Sequence, residues 1–166
     1  MKQLDNIFLI LLALFSKVFA MGQLTVESNI IELFSYTNDT SVYPGSDIIS
    51  TGETNENAIK VGVRFMPENM QNDIHRSWHI DIRKNTIEWH PDLQLSIRRT
   101  DDGQHLYNNL LKGGEQYMFV GNSETLFLRG NGKILNISCQ LKITGRSLTI
   151  PAKQYQTNIV FTLIDD

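Results

Sequence analysis

Apolar and polar residues alternate with a period of two along most of the chain after its first twenty residues. In "QLTVESNIIELF" the residues Leu24, Val26 and Ile30 fall on one side. In "AIKVGVRFM" they are Ile59, Val61, Val63 and Phe65, and in "WHIDIRKN" they are Trp78, Ile80 and Ile82. "DLQLSIRR" repeats the pattern with Leu93, Leu95 and Ile97. Successive side chains of a strand point to opposite faces, so each run predicts a strand with one buried and one wet face. "LLKGGEQYMFV", "ETLFLRGNGK", "ILNISCQLKITG" and "YQTNIVFTLI" bring the total to about eight or nine strands. Helical periodicity is scarce, and no strand–helix alternation points to a parallel sheet. The pattern predicts an all-β fold: an immunoglobulin-like or jelly-roll-like sandwich of two antiparallel sheets.

The punctuation agrees. Asp102-Gly103 reads as a hairpin turn, because type I′ turns need positive φ at both central positions. Gly113-Gly114 and Gly130-Asn131-Gly132 read as further turns between strands. The stretch 35–57 is rich in Thr, Asn, Asp, Ser and Gly, and predicts long connections around at most a short strand. "MPENMQNDIHRS" predicts a loop, since Pro67 and the Asn/Asp cluster break regular structure. In "ILNISCQLKITG", Leu135, Ile137, Cys139, Leu141 and Ile143 are expected on one face.

The first twenty residues follow another rule. Lys2 precedes an unbroken apolar run from Ile7 to Phe15, and Val18-Phe19-Ala20 closes the segment. The run is shorter than the roughly 20 residues a membrane-spanning helix needs. Its layout is that of a secretory signal peptide cleaved after Ala20, and Lys17, between the apolar run and Ala20, leaves an uncleaved N-terminal anchor as the alternative. The expected organisation is therefore a leader over 1–20 and a single sandwich domain over 21–166, with no membrane span after cleavage.

Export changes how the remaining composition reads. The whole chain carries a net charge of −3, and removing Lys2, Lys17 and Asp5 takes it to −4. A net acidic domain does not suit nucleic acid or an anionic membrane surface. The single cysteine, Cys139, leaves no internal disulfide, so stability must come from the core. Cys139 reads as a small buried hydrophobe.

Candidate chemistry is sparse. His75 and His79 form an H-x3-H pair, but His79 lies in a strand-like run and no Glu follows His75. His90 and His105 sit on separate segments. Asp101-Asp102-Gly103 lacks the spacing of a calcium loop. There is no nucleophile elbow and no phosphate-cradling loop. The expectation is a non-enzyme with no cofactor and no metal. Among the aromatics, Trp89 and Tyr107 are candidates for a ligand-binding surface, since ring faces stack on apolar sugar faces. Trp78 and Tyr117 extend that set, although Trp78 also fits the core. Asn38 and Asn136 each begin an N-x-S/T pattern.

The last strand carries the remaining information. Tyr155, Ile159, Phe161 and Leu163 share one face of "YQTNIVFTLI", and such an edge invites pairing with another chain. An exported all-β chain with an alternating final strand resembles a pilin-like subunit of chaperone–usher fimbriae. That resemblance implies an incomplete immunoglobulin-like sandwich completed by strand addition. It implies a periplasmic chaperone gripping Tyr155, Ile159, Phe161 and Leu163, and a donor segment offering Leu24, Val26 and Ile30. The chain is then expected in a fimbrium at the cell surface, reached through the periplasm, with other protein subunits as partners. The competing expectation is a secreted β-sandwich module that binds a carbohydrate or protein ligand through Trp89 and Tyr107.

Overall fold

The alternating runs become strands in the computed structural model, which describes residues 21–28, 52–66, 74–105, 109–145, 150–151 and 153–166. In chain order the strands are β1 (Met21–Ser28), β2 (Gly52–Glu53), β3 (Ile59–Met66), β4 (Ser77–Glu88), β5 (Gln94–Arg99) and β6 (Gln104–His105). They continue with β7 (Leu111–Lys112), β8 (Met118–Phe119), β9 (Thr125–Asn131), β10 (Ile134–Thr144) and β11 (Gln156–Asp165). A seven-stranded sheet runs β1-β3-β10-β5-β8, with β2 and β6 also on β10, and a four-stranded sheet runs β11-β4-β9-β7. Every pairing is antiparallel. The expected all-β sandwich of two antiparallel sheets is what the chain forms.

The core is the sum of the inward faces. β3 contributes Ile59, Val61, Val63 and Phe65, and β4 contributes Trp78, Ile80 and Ile82. Leu95, Ile97, Ile134, Ile137, Cys139 and Leu141 complete the large sheet's share, and Phe127 and Leu128 the small sheet's. Each fully buried aliphatic or aromatic side chain stabilises by about 1.5–3 kcal/mol relative to exposure. Trp78 sits deepest by volume, and its indole Nε1 donates to Gly132 O at 2.8 Å. Gly130 makes room for it, since a Cβ there would lie 2.5 Å from the Trp78 ring.

Three local expectations are corrected. Asp102-Gly103 is a turn, with Gly103 at φ 72°, but it joins no hairpin. β5 and β6 both pair with β10, so the turn is a jog along one neighbour. In β10 the pairing with β3 slips between Ile134 and Ile137, with Asn136 at φ 57°. This bulge turns Ile134 and Ile137 both inward, and sends Leu135 to the outer face over Gly62, against the expected one-face set. A second irregularity, where β4 meets β9, buries the consecutive residues Phe127 and Leu128. Of the expected turn Gly130-Asn131-Gly132, the first two residues belong to β9, and Gly132-Lys133 alone carries the chain from the small sheet to the large one. The leader 1–20, Ile30, Asn38 and Tyr107 lie outside the described residues.

Trp78→Ala should cost about 3–5 kcal/mol by opening a cavity and stranding the Gly132 carbonyl. Denaturant unfolding measures it, and a loss below about 1 kcal/mol would contradict the central place given to this side chain.

Candidate functional site

The two sheets end differently on their two sides. On one side the borders are β7 and β8, each only two residues long and linked through Gly113-Gly114. On the other the borders are β1, eight residues, and β11, ten residues. These long borders approach one another, since a Cβ on Gly22 would lie 3.0 Å from Leu163 Cδ2. Short edge strands offer little backbone to a foreign chain, whereas long ones are templates for it.

β11 pairs with β4 along its whole length, with Phe161 opposite Ile82 and Leu163 opposite Ile80. Ile159, Phe161 and Leu163 point at the core, and the Phe161 ring tilts against Phe127 at 6.5 Å. Yet all three are only half-buried, while Ile80 and Ile82 beside them are 0–1% exposed. The difference is positional: β4 is flanked on both sides, and β11 on one among the described residues. No charged residue occurs from Gln156 to Ile164. Tyr155 stands just before the strand. Its hydroxyl donates to Pro151 O at 2.8 Å, and its ring meets His90 edge-on at 6.2 Å.

The acids that follow are held. Asp165 pairs with Arg76, Asp166 N donates to Ser77 O at 3.0 Å, and Asp166 Oδ1 meets His79 Nδ1 at 2.7 Å. These contacts fasten the end of β11 to the start of β4. At the strand's other end, Ile159 lies opposite Lys84, which points inward and is nearly covered. The Lys84 ammonium lies 5.1 Å from the centre of the Trp89 ring. Burial lowers its pKa, and the long stem lets the charged tip reach the rim.

β1, the segment expected as a donor, pairs along all eight residues with β3 of its own chain. Leu24 packs on the core. Val26, expected on the same buried side, is 45% exposed. Thr25 Oγ1 donates to Gly62 O at 3.2 Å, and Arg64 Nε to Gln23 Oε1 at 2.7 Å.

The aromatics are dispersed. Trp78 is core. Trp89 is half-buried, with Nε1 donating to Leu93 O at 2.8 Å and the Lys84 ammonium over its ring. Tyr117 lies between Arg98 and Lys142, whose cations stand 4.9 and 5.0 Å from its ring centre. Among the described residues its buried hydroxyl lies within no ordinary hydrogen-bond geometry, and burial, followed by the Glu53 charge, raises its pKa. Of the histidines, His79 contacts Asp166 and, at 4.0 Å, Asp81, while His90 lies 3.7 Å from Asp92. Among the described residues no cluster of three or more His, Cys, Asp or Glu side chains is placed to share a metal ion.

Asp101 has a structural task that sequence reasoning missed. Its Oδ1 accepts from Gly103 N at 2.9 Å and from Ser138 N at 2.8 Å, so it closes the jog and serves the strand just past the β10 bulge. Burial works to raise its pKa, but the Ser138 and Gly103 hydrogen bonds and the charge of Lys60 leave it below the usual aspartate range. The D-x-G spacing of a side-chain-to-backbone turn was the available signal. Nearby, Cys139 is fully buried, and burial, followed by the Asp101 charge, pushes its thiol up to about 12.

No protein-family model, no curated protein and no solved structure matches this chain.

Two predictions follow from these groups. Because the Asp101 pKa is depressed on folding, its contribution is complete above the usual aspartate range and is lost as pH falls through the folded value. Asp101→Ala should cost about 1–3 kcal/mol at neutral pH, and should weaken the acid limb of a stability–pH curve. An unchanged acid limb would contradict the assignment. Cys139 should be silent to a thiol reagent at pH 8 in the native protein and react fully in denaturant, since the thiolate is the reactive form. Rapid native labelling would contradict its burial.

Proposed function

We propose that the chain is an exported structural or adhesive subunit of a fimbria or similar cell-surface assembly, joined to its neighbours through edge strands. The observation that carries this is the ten-residue border strand β11, uncharged from Gln156 to Ile164, with core-facing residues half-covered. The devices that commonly blunt an edge are shortness, proline, outward lysine and a covering loop. β7 and β8 have the first, and β11 has none of the four among the described residues. A bulge can also twist an edge away, and β11 has one irregularity, confined to its start at Gln156/Thr157. The leader-like first twenty residues support export, and the pilin-like layout supports the kind of assembly.

Strand addition also suits the energetics. Backbone groups along β11 supply affinity, and the half-covered Ile159, Phe161 and Leu163 supply register. Since β1 is paired within its own sheet, this chain reads as a folded unit that presents an edge. The competing carbohydrate-binding reading draws less support, because the Trp89 indole is already engaged by Leu93 and Lys84. A periplasmic chaperone and other subunits remain the partners that fit an exposed edge.

The test is the double variant Asn158→Lys, Thr162→Lys, whose positions point away from the core. In its native host, the variant should be exported and folded but be recovered from high-mass surface material about tenfold less, the effect of roughly 1.4 kcal/mol per contact. Equal incorporation of the lysine variant would count against edge pairing, and retention of the native chain in the cytoplasm would overturn export.

A further inference from the structure

We propose that the outer edge of β11 pairs with the same edge of a second copy of this chain, antiparallel about a two-fold axis at Val160. This rests on the edge-pairing reading above, and adds the partner and the register.

Charge selects the orientation. Gln156 to Ile164 is a run without charge centred on Val160, followed by Asp165 and Asp166 and preceded by Lys153. A parallel pair would set the acidic ends of both copies side by side. The antiparallel pair sets Asp165 and Asp166 of one copy against Tyr155 and Gln154 of the other, next to Lys153. Since Lys153 already pairs with Glu88 at 2.7 Å and the two acids with Arg76 and His79, the gain is the avoided apposition of like charges rather than a new ion pair. β1, the other long edge, is less suited because Glu27 lies within it.

The pleat selects the register. A two-fold axis perpendicular to the sheet keeps core-facing residues opposite core-facing residues, and a slip of one residue would break that match. With the axis at Val160, Ile159 faces the second copy's Phe161, and Thr157 faces its Leu163. On the outer face Asn158 meets Thr162, and the two Val160 side chains meet each other. The half-buried Ile159 and Phe161 thereby gain the flanking neighbour that Ile80 and Ile82 already have. The two four-stranded sheets become one continuous sheet.

Cysteine scanning of the purified chain after removal of the leader tests this directly, because Cys139 is buried and leaves the new thiol as the reactive one. Under mild oxidation Val160→Cys should form a covalent dimer with itself. Asn158→Cys alone and Thr162→Cys alone should not, but an equimolar mixture of the two should. In sedimentation the native chain should shift from monomer to dimer with concentration. Val160→Lys, which opposes two ammonium groups, should stay monomeric with an unchanged circular dichroism spectrum. If Val160→Lys fails to fold, the cysteine pattern decides alone. A native chain that is monomeric throughout, or Asn158→Cys coupling to itself as readily as Val160→Cys, overturns the proposal. If Val160→Cys in the native host couples to a different polypeptide and never to its own copy, self-pairing is overturned and the edge reading stands. If it couples to neither, both fall.

Discussion

A strand at the border of a sheet leaves every second amide and carbonyl without a strand partner, and water alone satisfies them. That constraint organises this molecule. Two pleated layers share one core, and their borders differ on the two sides. Where the borders are short, as at β7 and β8, little backbone is left open. Where they are long, as at β1 and β11, the core itself thins: Leu24, Ile159, Phe161 and Leu163 are half-covered beside fully buried neighbours. The same residues that would stabilise a subunit interface are those the single chain buries incompletely.

The chain manages its other liabilities locally. The bulge in β10 is served by the Asp101 carboxylate, which accepts from Ser138 and Gly103. Arg99 ties the neighbouring segments, donating to Gly113 O at 2.5 Å and pairing with Asp102 and Glu115. The end of β11 is fastened by Arg76, His79 and Ser77. Without a disulfide, these contacts and the apolar core are what hold the sheets in register.

Much of this was legible in the sequence, for a physical reason. The period-two pattern in β3, β4 and β5 reports burial on one face directly, and Ile59 to Phe65, Trp78 to Ile82 and Leu93 to Ile97 are all in the core. The pattern fails where geometry departs from a regular pleat. Leu135 reads as inward only if β10 is continuous, and the bulge at Asn136 reverses it. Asp102-Gly103 has the chemistry of a hairpin turn, but which strand pairs with which is a long-range fact that a turn cannot report. Lys84 reads as a polar position on "WHIDIRKN", and only the inward face of β4, with Trp89 above it, explains its burial. The alternation of β11 reported its core-facing side, and the structure places it at a border of the small sheet among the described residues. Its neighbour β4, and the pinning of Asp165 and Asp166, were not legible, since those partners lie some 90 residues earlier in the chain (Arg76 and Asp165 are 89 apart).

Among the described residues β11 is a border strand, and the proposal is that a further strand comes to occupy its outer edge. Residue-resolved amide hydrogen exchange tests it most directly. In dilute protein, the β11 amides bonded to β4 should exchange slowly and those on the outer edge fast, alternating along Gln156–Asp165, and the fast set should become protected on assembly. Uniform protection in the dilute monomer, or outer amides that stay fast in the assembled state, would contradict it.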